Sequence, residues 1–270
     1  MSAVEPLLEA SERPPHLVQV YQADDAALVS NLLGYLSDGL RRGESAIAIV
    51  TGAHREAVVT GLLRSGCDVA RQICEGRLTL LLVDDMLERL MVEEKPDAKR
   101  FEEHVGTLVR KTLAAANGRG LRVYGEIVGV LWETKQFPAA IRLEQLWHGL
   151  QQELDFSLYC GYPIDVFGKH FDSSIIDALL CAHTHLLPTV TNGYLERALE
   201  RAMEELLGLD ASDVKAKLGD VVANEWGTVP NAEATILWLR RTHPRYADTI
   251  LESAKIYYHA AVRRFSTGAL

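Results

Sequence analysis

Apolar positions near the start of the chain predict a strand, a helix and a second strand. Residues 16–21 alternate and are rich in β-branched side chains, as half-buried strands are. Leucines at 28, 32, 33, 36 and 40 recur at helical spacing and give one apolar face. Residues 45–50 form another apolar run. Strand, helix and parallel strand are the unit on which nucleotide-binding folds are built.

Three further apolar runs predict strands in the same part of the chain. They cover residues 76–83, 121–128 and 156–160. Helical patterns separate them over 51–64, after the capping pair Asp84-Asp85, from Pro96-Asp97 onwards and over 137–154. A last helix over about 173–182 is expected to end in Cys181-Ala-His183-Thr-His185. Five strands alternating with helices predict an α/β fold with a mainly parallel sheet covered on both faces.

Strand patterns stop at about residue 189. Residues 194–207, 213–222, 231–242 and 244–265 all have helical spacing, and Pro244 suits a first helical position. The predicted organisation is a loose leader over 1–15, an α/β domain over 16–188 and an all-helical extension over 189–270. The extension is expected to serve packing or oligomerisation, and a homo-oligomer is left open.

Composition excludes several classes of partner. The 270 residues carry a formal net charge of −9, which argues against binding nucleic acid directly or an anionic membrane surface. No apolar run approaches the roughly 20 residues that span a bilayer, and the first residues do not resemble a secretory signal. The four cysteines show no CxxC spacing and predict reduced thiols in a cytoplasmic protein.

The turn after the first strand lacks the residues of a phosphate site. Such a turn needs glycines, and usually a lysine, to cradle the anion. Residues 21–25 contain neither and carry Asp24 and Asp25, one of which is expected to cap the following helix. The sequence therefore favours a binding protein over an enzyme, with no catalytic residues and no cofactor.

Ligands of parallel sheets bind at the carboxyl ends of the strands. Aromatic and polar residues near those ends predict a mostly apolar pocket with polar tips. The predicted ligand-binding residues are Tyr21, Tyr124, Glu126, Trp132, Cys160, Tyr162 and His183. Glu126, in a strand buried on both faces, is expected either to pair with Arg122 or Arg142 or to contact the ligand.

Other candidate residues have structural interpretations. Cys160, Cys181, His183 and His185 fit no standard zinc spacing, so no metal site is predicted. Cys160 also lacks the histidine and acid partners of a nucleophile. Three residues are assigned structural roles: Trp147 in the core, Glu144 on the flank of its helix and His16 in a backbone hydrogen bond.

Several short motifs together resemble one known family. They are His16-x-x-x-x-Tyr21, Gly39-Leu-x-x-Gly43-Glu44, Gly66-x-Asp68, Tyr124-Gly-Glu126, Leu131-Trp132, Leu143-Glu144-x-Leu146-Trp147, Cys160-Gly-Tyr-Pro163 and Cys181-x-His183. Their order and spacing resemble the MEDS domain, the sensory domain of methanogen and methylotroph regulators of the dichloromethane-repressor type. The resemblance covers residues 16–187.

The resemblance implies a RecA/KaiC-like fold that has lost its phosphate loop. It also implies sensing of a small organic molecule such as a hydrocarbon derivative. The chain carries no recognisable output domain, so the expected partner is a separate histidine kinase or transcription regulator. Two alternatives are left open: a divergent NTPase of RecA/KaiC type, and a scaffold that holds a partner without a small ligand.

Overall fold

The computed structural model describes residues 14–21, 26–168, 171, 183–187, 192–208, 213 and 229–268. The strands in these residues are β1 (His16–Tyr21), β2 (Ser45–Val50), β3 (Leu78–Leu82), β4 (Met91–Val92), β5 (Lys95–Pro96), β6 (Leu121–Gly125), β7 (Ser157–Pro163) and β8 (His185–Leu186). The helices are α1 (Ala26–Arg41), α2 (Gly52–Arg64), α3 (Val69–Cys74), α4 (Val83–Leu90), α5 (Ala98–Phe101), a π-helical turn (Glu102–Gly106), α6 (Thr107–Ala116), α7 (Ile127–Glu133), α8 (Phe137–Glu153), α9 (Asn192–Leu207), α10 (Asn231–Thr242) and α11 (Pro244–Gly268).

Six strands form one parallel sheet in the order β3-β2-β6-β7-β1-β8. Helices cover the sheet, and α9 to α11 follow it in the chain. The predicted α/β class and the helical C-terminal extension are confirmed. The closer RecA/KaiC likeness stays a prediction.

Alternation along β1 and β7 divides the core between the two faces of the sheet. Val18 and Cys160 point to the face that α7 and α8 cover. Leu17 and Tyr159, one residue away in each strand, belong to the core under α1. Each strand therefore supplies side chains to two separate environments.

The helical extension is joined to the α/β domain at the exit of β7. Arg240 of α10 donates from Nη2 to the carbonyl oxygens of Phe167 and Gly168, at 3.2 and 2.7 Å. Lys255 of α11 lies 3.0 Å from a carboxylate oxygen of Asp165. Phe167 and Trp238 belong to the same buried core as β7, so the extension packs against the end of this strand.

Four predicted boundaries or caps are wrong. The strand predicted over 121–128 ends at Gly125, and α7 follows it directly. Gly129 of α7 lies so close to β7 that a Cβ on it would be 2.2 Å from the carbonyl oxygen of Gly161. The strand predicted to end at 160 continues to Pro163.

The other two wrong predictions concern a helix cap and the end of a helix. Helix α4 begins at Val83 without a side-chain cap, and Asp84 and Asp85 lie inside its first turn. There the carboxylates complement the helix dipole without accepting the capping hydrogen bond. His185, expected at a helix end, lies instead in β8 beside β1.

Some sequence predictions fall outside the described residues. They are the cap at Asp24 or Asp25, the helix over 173–182, Cys181, the leader apart from residues 14 and 15, and the helix over 213–222 apart from residue 213. Within the part of the chain that the structure describes, none of the helices has the length and apolar character needed to cross a bilayer.

Candidate functional site

Four buried side chains converge between the sheet and helix α8. His16, Glu144, Cys160 and His183, here called the His/Glu/Cys cluster, offer donor atoms that all lie within 4.8 Å of one another. Nε2 of His16 lies 3.4 Å from Sγ of Cys160 and 3.6 Å from Oε2 of Glu144. Nε2 of His183 lies 3.4 Å from Oε1 of Glu144.

Strand pairing brings these distant residues together. Val18 of β1 is opposite Cys160 of β7. His16, two residues before Val18, projects to the same face as Cys160 because side chains alternate along a strand. Helix α8 crosses that face with Glu144 on its buried side.

Thr184 fixes the segment that carries His183 to the start of β1. The backbone N–H of His16 donates to Oγ1 of Thr184 at 3.1 Å, and the same hydroxyl donates to the His16 carbonyl at 3.0 Å. The Thr184 N–H donates to that carbonyl at 2.7 Å. The His16 backbone is thus bonded to this segment, whereas its ring, which was expected to bond a neighbouring backbone, faces Cys160 and Glu144.

The cluster holds Glu144 as a carboxylate. Burial alone raises the pKa of this group, but the adjacent His183 and His16 and the Tyr162 hydroxyl, which donates to Oε1, together bring the pKa down to about 2. Burial and then the charge of Glu144 raise the pKa of the Cys160 thiol well above its usual value. Glu144 is therefore the centre of a polar group, and not only part of a helix flank as predicted.

A cavity of about 610 Å³ lies beside the cluster, at the amino end of β1. His16, His183 and Thr184 line its inner wall, and the end of α8 lines another side through His148, Gln151 and Gln152. The sequence predicts a site at the opposite, carboxyl ends of the strands.

Glu126 forms a second polar group at the carboxyl end of the sheet. Its carboxylate accepts the Thr51 N–H at 2.8 Å and lies 2.5 Å from Nδ1 of His54. The predicted pairing with Arg122 or Arg142 is wrong, because Arg122 bonds Glu44 and Arg142 is an exposed neighbour of Gln145. Glu126 thereby links the ends of β6 and β2.

Tyr21 and Tyr124 lie away from the His/Glu/Cys cluster. The ring of Tyr21 packs edge-on to His54 at 6.2 Å, near Glu126. Tyr124 is buried under α1 beside Tyr159, with ring centroids 5.1 Å apart. Burial, and then the charge of Glu126, raise the pKa of Tyr124 well above its usual value.

Trp132 and Tyr162 lie on the cluster's side of the sheet. Their rings meet edge-on at 5.5 Å, and Tyr162 also meets His183 at 6.1 Å. The structure thus brings together Trp132, Cys160, Tyr162 and His183 and separates them from Tyr21, Tyr124 and Glu126. Trp147, predicted in the core, is buried against Phe101.

Sequence reasoning missed two members of the cluster. His16 opens a strand and Glu144 lies in an amphipathic helix, so each had an adequate local explanation. One signal was present: Glu144 follows Leu143 and precedes Trp147 on the buried side of its helix, where a carboxylate requires a charged or hydrogen-bonding partner.

The comparison with known protein families supports the resemblance seen in the sequence motifs. A family model described as "MEDS: MEthanogen/methylotroph, DcmR Sensory domain" matches residues 15–184. That span is well over half of the 270 residues, contains all four members of the cluster and ends before α9. No curated protein matches the chain.

Proposed function

Since the chain belongs to the MEDS family of sensory domains, we propose that it is a non-enzymatic sensor whose ligand is a small organic molecule. The ligand binds in the cavity beside the His/Glu/Cys cluster, and the bound state controls a separate histidine kinase or transcription regulator. Membership of the family supports the sensory role. The cavity is the main observation that supports the position of the ligand site.

The cavity has the size of a small-molecule site. Its volume of about 610 Å³ falls within the range of roughly 300–1,000 Å³ usual for such pockets. Its lining is more polar than the mostly apolar pocket predicted from the sequence: His16, His148 and His183 contribute imidazoles, and Leu154 contributes apolar surface. A short organic molecule with one polar end would satisfy both surfaces.

The buried state of Cys160 supports a binding role over covalent catalysis. A nucleophilic cysteine needs a stabilised thiolate and access to substrate. Cys160 is fully buried, and its surroundings raise the pKa of the thiol. Its side chain therefore suits a fixed part of the protein interior.

The contact between β7 and the helical extension supplies a route for output. Cys160 and Tyr162 lie in β7, and the segment after this strand contacts α10 through Arg240 and α11 through Lys255. A ligand that shifts the cluster would move β7 and so change the packing of the extension. The surface of α9 to α11 would then present a different face to the regulated partner.

A ligand screen with two matched variants tests this proposal. Short-chain alcohols, amines, carboxylates and haloalkanes are titrated while melting temperature and tryptophan fluorescence are followed. His148→Trp places a bulky group at the cavity, whereas Gln145→Trp places it at an exposed position of the same helix that does not line the cavity.

The expected result is stabilisation of the wild type and of Gln145→Trp by one ligand class, with loss of the effect in His148→Trp. A ligand at 100 times its Kd stabilises by about 2.7 kcal/mol, which is readily measured. Equal stabilisation of both variants would place the ligand elsewhere. No response to any compound would contradict the proposal.

A further inference from the structure

The geometry of the His/Glu/Cys cluster points to a second property: we propose that His16, Glu144, Cys160 and His183 bind one divalent transition-metal ion, with Zn²⁺ the best match. The inference rests on the arrangement of donor atoms and does not depend on the proposed organic ligand. The sequence predicted no metal site, and its candidate set of Cys160, Cys181, His183 and His185 shares only two members with this one.

The spacing of three donor pairs is compatible with a tetrahedral metal site. Zinc binds imidazole nitrogen and carboxylate oxygen at about 2.0–2.2 Å and thiolate sulfur at about 2.3 Å, which places neighbouring donors about 3.4–3.6 Å apart. Nε2 of His16 lies 3.4 Å from Sγ of Cys160 and 3.6 Å from Oε2 of Glu144, and Nε2 of His183 lies 3.4 Å from the other oxygen, Oε1, of Glu144. Together the four residues offer donor atoms within 4.8 Å of one another.

The same separations fit an ion-pair network less well. A charge-assisted hydrogen bond between imidazole and carboxylate closes to about 2.7–2.9 Å. His16 and His183 both lie farther than that from the Glu144 oxygens they face. An ion held between the imidazoles and the carboxylate would account for these separations.

The donor types restrict the choice of ion. Two imidazoles, one thiolate and one carboxylate suit Zn²⁺, Co²⁺ or Fe²⁺, whereas Mg²⁺ and Ca²⁺ prefer sites made of oxygen alone. Binding would deprotonate the Cys160 thiol, with the proton released to solvent and no change in oxidation state. The charges of thiolate and Glu144 would then offset those of the ion.

Neighbouring groups hold the donors in position. The Tyr162 hydroxyl donates to Oε1 of Glu144 and so fixes the carboxylate. Thr184 ties the backbone of His16 to the segment that carries His183. Such outer contacts commonly contribute 10- to 100-fold to metal affinity. The cavity reaches His16 and His183 and gives an ion a path from solvent.

Cobalt titration of the full chain, after treatment with a chelator, tests the proposal. The expected result is one Co²⁺ per chain, with the intense visible bands of a tetrahedral complex and a thiolate charge-transfer band in the near ultraviolet. Elemental analysis of the purified protein provides the second readout. Circular dichroism confirms that each sample is folded before titration.

Three variants test whether the thiolate charge-transfer band comes from the cluster. Cys160→Ser is expected to lose the charge-transfer band, and Tyr162→Phe to weaken binding about 10-fold or more. Cys74→Ser, at an exposed cysteine outside the cluster, is the control and should match the wild type. A folded wild type that binds no Co²⁺ would overturn the proposal, as would a charge-transfer band that survives in Cys160→Ser.

Discussion

Arg122 of β6 and Glu44 at the start of β2 form a two-point ion pair at the buried edge between sheet and α1. Nε of Arg122 donates to Oε2 of Glu44 at 2.6 Å, and Nη2 donates to Oε1 at 3.0 Å. Nη1 donates to the Tyr35 carbonyl at 3.0 Å, so α1 is held to the same guanidinium. Arg122 is only 2 % exposed. Because a buried charge without a counter-charge is strongly destabilising, Arg122 depends on this pairing.

Replacing Glu44 by Gln should destabilise the fold strongly. The guanidinium of Arg122 would stay buried without a full counter-charge, and the free energy of unfolding should fall by about 3 kcal/mol. Urea unfolding followed by circular dichroism measures the change. Glu75→Gln weakens the surface pairs of Glu75 with Arg71 and Arg77 and should leave the midpoint nearly unchanged; an equal loss in both variants would contradict this account.

Gly39 of α1 should tolerate no side chain. A Cβ there would lie 2.6 Å from Cδ and Nε of Arg122. Gly39→Ala is expected to lower the free energy of unfolding by about 1–3 kcal/mol, because Arg122 is held in place on several sides.

Gly149 of α8 supplies the matched control, since a Cβ there meets nothing within 4 Å. Gly149→Ala should raise the free energy of unfolding by about 0.5–1 kcal/mol through helix propensity. Thermal melts of the two variants distinguish the cases. A stabilising effect of Gly39→Ala would show that the contact with Arg122 relaxes freely.

Arg240→Gln should loosen the contact between α10 and the exit of β7. The variant loses the hydrogen bonds that the guanidinium donates to the carbonyls of Phe167 and Gly168. Hydrogen bonds of a charged donor contribute about 1.5–3 kcal/mol to the free energy of unfolding. Hydrogen exchange should accelerate over residues 164–168 while β2 and β6 stay protected. Arg245→Gln, at an exposed position of α11, is the control and should show the wild-type pattern.

The cysteines should differ sharply in their reaction with iodoacetamide. Cys74 is exposed, Cys67 is half-buried and Cys160 is buried, so alkylation of the native protein should proceed in that order. Peptide mass mapping over time measures each site separately. Reaction of Cys160 as fast as Cys74 would mean that β7 opens readily and would weaken the proposed role of the cluster.

Local patterns were sufficient for much of the fold. Alternation and β-branched residues marked β1, an apolar run marked β2, and helical spacing marked α10 from Asn231 to Thr242. All three elements are mostly buried, and each carries an apolar pattern that is recognisable without knowledge of its neighbours. Boundaries failed where tertiary contacts intervene, as at Glu126, whose carboxylate accepts from Thr51 and is followed by a helix.

The candidate site could be predicted only in part. Cys160 and His183 were singled out, but Glu144 joins them because its helix crosses the sheet, and His16, more than 100 positions earlier in the chain, joins them through strand pairing. No spacing rule for metal or catalytic motifs covers such distances. Side chains of β6 and β7 alternate between the two faces of the sheet. For this reason Tyr124 and Tyr162, which were both predicted to line one pocket, lie in different cores.

The most direct test of the sensor proposal is native mass spectrometry of the full chain, followed by denaturation and identification of any released compound. The account predicts a mass above that of the 29.9 kDa chain, carried by a small organic molecule that His148→Trp loses and Gln145→Trp retains. A metal ion alone would support only the cluster as a metal site. The bare chain in all three proteins, with no melting shift from any compound of the screen, would contradict the sensor proposal.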